Sequence, residues 1–248
     1  MKLSNSSYVV SGLSFLAPWL VNAGIIAGSE KTLIIDTGGN MLGGQTIYGY
    51  ATAVKPDNRL IVFNCEPHFD HIGGNSFLKD QGAELYGHPD IQRTAEGLGG
   101  EKVDINQSII DPARKAAGEE EAFFVGTTVV NPDHSAVAGD KFDLGGLEVE
   151  ILATPGHTEI NQSVYNRAEK VLFCADCIVT DYIPNLAAGN PELCEQWLQS
   201  LEMIETLAPA VVVPGHGRVM RGEEIGVEIE RVRGFLHQAL VDGKAPAG

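Results

Sequence analysis

The chain has 248 residues, of which 44% are hydrophobic and 20% are charged, as is ordinary for a soluble globular protein. Its 33 acidic residues outnumber its 17 lysines and arginines, which gives a formal net charge of −16 at pH 7. Because the basic residues are also scattered along the chain, this charge argues against nucleic acid and anionic membrane surfaces as partners.

The first apolar stretch, residues 8–28, raises the question of an export signal or a membrane helix. A signal peptide has an unbroken apolar core behind a basic start, and proline disfavours a membrane helix. Here Lys2 is the only preceding basic residue, and the stretch is interrupted by Ser11, Gly12, Ser14, Pro18 and Asn22. We therefore predict two buried strands joined by a loop, in which Trp19 either lines a pocket or covers the core. A cleaved export signal is the alternative.

Short apolar, β-branched runs bounded by glycine, asparagine or aspartate predict buried strands in the first half of the chain. These runs lie at 22–28, 31–38, 59–65 and 83–88. A helix is predicted over 73–81, with Asn75 or Ser76 as its N-terminal cap, and another from about Pro89. The acidic and glycine-rich region that follows favours a further helix near 111–122.

The second half of the chain has a similar pattern. A strand and loop are predicted over 147–158, a hairpin over 162–176, and a strand leading into a glycine-flanked histidine over 210–217. Apolar residues at helical spacing predict a core-facing helix over 191–207, and a terminal helix begins at about residue 222. Strands in both halves with helices outside them predict an α/β fold with two sheets packed face to face.

The densest group of reactive side chains lies in "EPHFDH", which brings Glu66, His68, Asp70 and His71 within six positions. Three more candidates each follow an apolar strand in a glycine-rich turn, namely His157, Asp176 and His216. Because strand ends converge on one edge of a sheet, we expect these distant residues to meet there.

Imidazole nitrogens combined with carboxylates suit zinc, iron or manganese, and seven such groups are enough for two ions. A lone histidine in a loop is more often a polar surface residue, and we assign that role to His88, His134 and His237. The glycine-flanked strand-end positions of the other histidines, together with the upstream cluster, predict a metal site instead.

The series of motifs resembles the metallo-β-lactamase superfamily, whose hallmark is a His-x-His-x-Asp-His motif followed by His, Asp and His on later strand ends. "EPHFDH", "TPGHT", "FCAD" and "PGHG" match that series in order and spacing, and "IIDTG" matches the strand that carries an early aspartate. The resemblance covers nearly the whole chain. It implies an αββα four-layer sandwich in a single domain over 1–248, with the site at the sheet edge between two similar halves.

The resemblance also implies two divalent ions, zinc with iron or manganese as alternatives. The ligand sets it implies are position 66, His68 and His157 for the first ion, and Asp70, His71 and His216 for the second. Asp176 would bridge both ions, Asp70 would act in catalysis, and Asp36 would hold a ligand loop from behind by hydrogen bonds.

Glu66 departs from the family pattern, which usually has histidine at this position. A carboxylate can bind a metal at a similar distance, and its charge makes a harder site that favours iron or manganese more than three imidazoles would. It should also make a bridging hydroxide harder to form. The alternative is that Glu66 turns away and leaves the first site weak or empty.

The function implied is a metal-dependent hydrolase in which a dinuclear centre activates a bridging water or hydroxide to attack a small ester, thioester, lactone, lactam or phosphoester. Two alternatives stay open: an iron-dependent redox enzyme on the same fold, similar to a sulfur dioxygenase, and a metal-binding protein without turnover. In the loop after Asp176, Tyr182 and Asn185 are candidates to polarise a substrate oxygen. Possible anchors for a thiol carrier are Arg221, Arg231 and Arg233.

Four cysteines in a domain of this size argue against a disulfide framework and favour reduced thiols in the cytoplasm. Cys174 and Cys177 form one C-x-x-C, but the sequence lacks the second pair of a zinc knuckle. The pair also does not open a helix, as a redox motif would. The sequence therefore disfavours a redox or structural-zinc role for these two cysteines.

Overall fold

The computed structural model describes residues 1–13, 20–108, 112–186 and 190–243, which form two six-stranded sheets flanked by helices. Trp19 lies outside the described residues. Within the described part of the chain, no helix combines the length and the apolar character needed to cross a membrane.

The first sheet takes its strands in chain order, with β1 and β2 antiparallel to their neighbours and the later pairs parallel. The strands are β1 (Ser7–Val10), β2 (Ala23–Ala27), β3 (Lys31–Ile35), β4 (Arg59–Asn64), β5 (Glu84–Gly87) and β6 (His134–Ser135). β2 is buried along its whole length, because it is covered on one face by helices and on the other by the second sheet. This explains its continuous apolar sequence and confirms the strands predicted on either side of the first loop.

The second sheet has the reverse strand order, β12-β11-β10-β9-β8-β7, and all of its neighbours are antiparallel except β10 and β11. Its strands are β7 (Lys141–Asp143), β8 (Glu148–Ala153), β9 (Gln162–Asn166), β10 (Val171–Phe173), β11 (Val211–Val213) and β12 (Met220–Arg221). The predicted hairpin is β9 and β10. Because β8, β10 and β11 run in the same direction, their carboxyl ends lie at one edge.

Eight α-helices are described. They are α1 (Met41–Val54), α2 (Phe69–Ile72), α3 (Asn75–Asp80), α4 (Ala95–Ser108), α5 (Pro112–Ala116), α6 (Glu119–Phe123), α7 (Pro191–Leu207) and α8 (Glu223–Asp242). One apolar cluster lies between the two sheets, a second between the first sheet and α1, and a third between the second sheet and the pair α7 and α8. The chain is therefore the αββα four-layer sandwich that the sequence predicts.

Three helix predictions are wrong in detail. The helix expected from Pro89 begins at Ala95, because Asn131 accepts a hydrogen bond from the backbone N–H of Arg93 and donates one to its carbonyl, which holds that residue outside the helix. Asn75 begins α3 and does not cap it, since its side chain bonds elsewhere. The predicted helix at 111–122 is two short helices, α5 and α6, and residues 109–111 are not described.

The sequence analysis named no element where α1 lies. This helix contains three glycines, which have low helix propensity. The structure explains one of them: a Cβ on Gly44 would lie 2.5 Å from the carbonyl oxygen of Gly74. Glycine at position 44 therefore lets α1 approach the start of α3, directly after the metal-candidate cluster.

Glu169 ties the first strand of one sheet to the β9–β10 turn of the other. Its carboxylate accepts hydrogen bonds from the hydroxyls of Ser6 at 2.7 Å and Ser7 at 3.0 Å, from Asn166 Nδ2 at 2.9 Å, and from the Ser4 hydroxyl. Burial alone would raise the pKa of Glu169, but the hydrogen bonds from the serines lower it below its usual value.

We expect Glu169→Gln to lower the free energy of unfolding by about 1–3 kcal/mol at pH 7, because the charged acceptor of several hydrogen bonds is lost. Since the folded-state pKa of Glu169 is lowered, its contribution is complete above the unfolded pKa of about 4.3 and declines as pH falls through the folded pKa. Urea denaturation between pH 7 and pH 3 would measure this. Glu148→Gln, at an exposed carboxylate paired with Lys141, is the control with a smaller expected effect. Equal stability of Glu169→Gln and wild type at pH 7 would contradict the assignment.

Candidate metal centre

The seven candidate residues lie in turns that follow four strands. β4 leads into the turn of Glu66 and into α2, which carries Asp70 and His71 and has His68 at its N-terminus. The other three follow β8, β10 and β11, in the order His157, Asp176 and His216. Asp176 lies in a short 3-10 turn, Ala175–Cys177. The structure brings all seven together, so both sheets contribute to one cluster.

One group within the cluster consists of Glu66, His68 and His157. Both carboxylate oxygens of Glu66 lie close to His68 Nδ1, at 2.9 and 3.0 Å, and one lies 3.7 Å from His157 Nε2. His157 Nε2 lies 3.1 Å from His68 Nδ1. The Glu66 side chain is fully buried and points into the cluster, not away from it.

A second group consists of Asp70, His71 and His216. Asp70 Oδ2 lies 3.1 Å from His216 Nε2 and 3.9 Å from His71 Nε2. These atoms are close enough to one another to bind a single ion.

Asp176 and Glu66 both contact residues of each group. Asp176 Oδ2 lies 3.5 Å from His157 Nε2 and 3.4 Å from His216 Nε2, while its Oδ1 lies 3.3 Å from His71 Nε2. Glu66 Oε1, besides its contact with His68, lies 3.2 Å from His71 Nε2. Two carboxylates therefore lie between the two groups.

In three of the histidines, the hydrogen-bond partner of Nδ1 determines whether Nε2 carries a proton or a lone pair. Nδ1 of His157 lies 3.2 Å from the Asn185 carbonyl oxygen, and Nδ1 of His216 lies 3.0 Å from that of Leu20. A carbonyl oxygen only accepts, so both Nδ1 atoms carry the proton, and in the neutral ring the lone pair is on Nε2. His71 Nδ1 is similarly directed at Asp36 Oδ2, at 2.8 Å.

Lone pairs on these Nε2 atoms face carboxylate oxygens, and two such groups repel unless a cation lies between them. His71 Nε2 and Asp176 Oδ1 are also buried without a hydrogen-bond partner among the described residues. Buried polar atoms are rarely left unsatisfied. The donor set and these two atoms fit a divalent metal ion.

The pKa values follow the same electrostatics. Glu66 raises the pKa of His68 to about 9, against the effect of burial. Burial lowers the pKa of His71 and His216, but neighbouring carboxylates outweigh it and raise both well above the usual value. For Glu66 itself, burial raises the pKa, but His68, His71 and His157 outweigh it, so this carboxylate stays ionised. The cluster therefore attracts positive charge, whether protons or a metal ion.

Asp36 lies behind His71, at the end of β3. Its Oδ1 accepts a hydrogen bond from the backbone N–H of Cys65 at 2.8 Å, and its Oδ2 accepts one from His71 Nδ1. Its φ of 57° is in the left-handed region, which aspartate and asparagine tolerate better than most residues. One buried carboxylate thus orients both the start of the Glu66 turn and the His71 ring.

A cavity of about 400 Å³ opens over the cluster. Its lining consists of His68, Asp70, Glu101, His157, Asp176, Val179, Tyr182, Ile183, Asn185 and His216. Tyr182 and Asn185, the two predicted substrate-contacting residues, are both in the lining. Sequence reasoning missed Glu101, Val179 and Ile183. Ile183 lies in the predicted loop after Asp176, and Glu101 lies in the acidic, glycine-rich region, where no motif singles out an individual residue.

Three histidines and two cysteines to which the sequence analysis gives no metal role do not belong to the cluster. His134 and His237 are exposed, and His88 is half-buried next to Asp90. The cysteines of the C-x-x-C, Cys174 and Cys177, are buried free thiols whose pKa burial raises. Low-pKa exposed thiols are the reactive ones, so these two are inert.

Two packed sheets between helices, with a His, Asp and Glu cluster at their common edge, define the class of metal-dependent hydrolases built on the αββα sandwich. Residues 16–216 match the family model of the metallo-beta-lactamase superfamily. The chain belongs to this superfamily, as its motifs predict.

Named relatives agree with this membership. The acyl-coenzyme A thioesterase MBLAC2 of Bos taurus is 24% identical over 221 residues, covering 82% of this chain and 75% of that protein. A hydroxyacylglutathione hydrolase of Brucella anthropi is 28% identical over 163 residues, covering 66% of this chain but only 46% of the relative, less than half its length. Both are hydrolases by name, and the chain is likewise an enzyme of the hydrolase class.

Solved structures share the fold. A metallo-beta-lactamase family protein from Thermus thermophilus superposes with a TM-score of 0.69 at 18% identity, covering 96% of this chain and 81% of the other. A metallo-beta-lactamase from Pontibacter korlensis gives a TM-score of 0.67, also at 18% identity, with coverages of 94% and 97%. At this identity the likeness extends to the αββα architecture alone.

We expect Asp36→Asn to weaken metal binding by about 10- to 100-fold. Asparagine fits the same backbone conformation but has one side-chain oxygen for the two hydrogen bonds that Asp36 accepts, so either Cys65 or His71 loses its partner. Competition with a chromophoric chelator would measure the affinity. Asp133→Asn, at an exposed aspartate paired with Lys79, is the matched control. Equal metal affinities for Asp36→Asn and wild type would refute the role of Asp36.

Proposed function

We propose that the protein binds two divalent ions and hydrolyses small ester-type substrates. The observation that carries this proposal is the convergence of imidazole lone pairs and carboxylate oxygens in two adjacent groups that open into one cavity. Zinc is the ion we propose, because four imidazoles dominate the donor set, with iron or manganese as the alternatives.

In this proposal the two ligand groups have separate ions. The first is held by Glu66, His68 and His157, and the second by Asp70, His71 and His216. Asp176 would serve as a ligand to both, as its short distances to histidines of both groups support. The buried, inward orientation of Glu66 favours its role as a ligand over the alternative in which it turns away.

When bound, the ions would supply a Lewis acid that polarises a carbonyl or phosphoryl oxygen and lowers the pKa of a water molecule. Asp70 lines the cavity, and its pKa, which burial alone would raise, is lowered by His71 and His216. A carboxylate that stays ionised accepts a hydrogen bond and so orients an attacking water. We propose that Tyr182 and Asn185, at the cavity wall, orient the oxygen of the substrate.

Among the candidate substrates, which are ester, thioester, lactone, lactam and phosphoester, we propose a thioester first. The names of both hydrolase relatives favour this choice: one acts on acyl-coenzyme A and the other on hydroxyacylglutathione. The four buried free thiols favour the reducing cytoplasm as its location. We also propose that residues 1–248 form a single domain.

One observation favours a second candidate function. Three carboxylates in the ligand set make the site harder than a histidine at position 66 would, and hard sites suit iron. An iron-dependent redox enzyme, similar to a sulfur dioxygenase, is therefore the alternative. A metal-binding protein without turnover is the third.

The test combines metal analysis of protein purified without chelators with a substrate panel. The panel consists of the thioesters of one short acyl group with N-acetylcysteamine, glutathione and coenzyme A, the phenyl ester of the same acyl group, and a lactone. We expect about two zinc ions per chain and turnover of a thioester, abolished in His216→Ala and retained in the control His237→Ala. One iron with oxygen consumption would support the redox enzyme, and metal binding without any turnover would support the third candidate.

We expect Glu66→Ala to lower the metal content by about one ion per chain and to leave the fold intact, because a charged ligand of the first group is removed. Glu66→His, which restores the residue usual in the family, should retain both ions. Elemental analysis and circular dichroism of the three proteins would measure this. Unchanged metal content in Glu66→Ala would overturn the ligand role of Glu66.

A further inference from the structure

Residues 178–183 form one wall of the cavity without belonging to a helix or strand. Val179, Tyr182 and Ile183 of this wall segment line the cavity directly after the Asp176 turn. Backbone groups outside regular structure need partners from elsewhere. The backbone N–H of Thr180 donates to the carbonyl of His216 at 3.0 Å, which fastens the segment to one metal-candidate loop.

Two backbone carbonyls of the wall segment accept hydrogen bonds from a single side chain on α8. Arg231 Nη1 donates to the carbonyl of Tyr182 at 2.8 Å, and its Nη2 donates to that of Val179. Arg231 is about 50 residues away in the sequence. Its guanidinium therefore spans the wall segment from the outside, next to the cavity but not in its lining.

Arg231 is itself held in place. Its Nε donates to Glu228 Oε2 at 2.6 Å, one turn earlier on α8, and the other oxygen of this buried carboxylate accepts from Arg218 Nη2 at 2.6 Å. Arg218 follows His216 by two residues, and its backbone N–H and carbonyl both bond the Thr180 hydroxyl. The network thus joins α8, the wall segment and the loop of His216.

We propose that Arg231 is a positioning residue that fixes the wall segment and so shapes the binding pocket for the acyl portion of the substrate. The substrate part of this inference rests on the proposed function. Each of the three guanidinium nitrogens donates to a different acceptor, and the single nitrogen of lysine cannot reproduce the spacing of these donors across the planar fork of arginine. This replaces the expectation that Arg231 anchors a thiol carrier. Arg233 is likewise engaged within the protein, by Glu205 and Glu230.

The test compares Arg231→Gln and Arg231→Lys with Arg233→Gln, a control on the same helix. Hydrogen–deuterium exchange of metal-loaded protein would follow peptides that cover residues 178–186. We expect Arg231→Gln to speed exchange there about tenfold, with an intermediate effect for Arg231→Lys and none for Arg233→Gln. The rest of the second sheet and the metal content should stay unchanged.

A kinetic measurement adds a second readout, on a thioester with a bulky acyl group. Loss of the positioned wall should raise KM about fivefold in Arg231→Gln, and kcat should fall as well, because Tyr182, which orients the substrate oxygen in the proposed function, belongs to this wall. If no substrate is turned over, the exchange experiment still decides the role of Arg231. Unchanged exchange at 178–186, or faster exchange across the whole protein, would overturn the proposal. If Arg231→Gln does not fold, Arg231→Lys provides the test: faster exchange at 178–186 supports the proposal, and unchanged exchange there overturns it.

Discussion

The structure depends on one electrostatic constraint: three ionised carboxylates and the nitrogens of four imidazoles are directed at the same small volume. Glu66 and Asp176 are buried and Asp70 is only partly exposed, and buried charges of one sign destabilise a fold unless positive charge compensates them. In the absence of a metal, protons on His68, His71 and His216 provide that charge, as the raised pKa values of these three residues indicate. A metal ion removes the conflict more completely, because it binds lone pairs and carboxylates alike. The rest of the fold keeps these groups from moving apart.

Rigidity of the cluster comes from groups outside it that belong to separate parts of the chain. The rings of His71, His157 and His216 are each fixed by an acceptor in a different part of the chain. The side chain of Asp36 after β3 fixes His71, the carbonyl of Asn185 in the loop before α7 fixes His157, and the carbonyl of Leu20 just before β2 fixes His216. Asn22 adds to the last of these, since its amide donates to the carbonyls of Pro214 and Gly217 at 2.9 and 3.0 Å. The sheets are therefore joined at the site itself, and ring orientation and domain packing depend on the same contacts.

How far the sequence predicts this arrangement depends on how local each signal is. Strands β1 to β5 and β8 to β11, the helix α7 and the seven clustered residues are predictable, because each depends on periodicity or on a motif within a few positions. The short strands β6, β7 and β12 are not predicted. The helix α1 is not predictable from the sequence, because Gly44 lowers its helix propensity. The reason for this glycine is the close contact with Gly74, which exists only in the folded chain. The role of Arg231 is also invisible in the sequence. Its acceptors are backbone carbonyls, which every residue has, so no residue type marks them.

Glutamate at position 66 changes the charge of the site as well as its ligands. With two divalent ions bound, three carboxylates would leave one net positive charge, where a histidine at this position would leave two. The attraction of the site for an anionic substrate group is then weaker, and the chain as a whole is strongly acidic. In the proposed function, substrate affinity would then depend more on contacts with the cavity wall, where Val179, Tyr182 and Ile183 provide apolar surface. Glu66 and Arg231 are therefore connected in this proposal. Glu66 makes the metal centre less positive, and substrate binding then depends more on the wall segment that Arg231 orders.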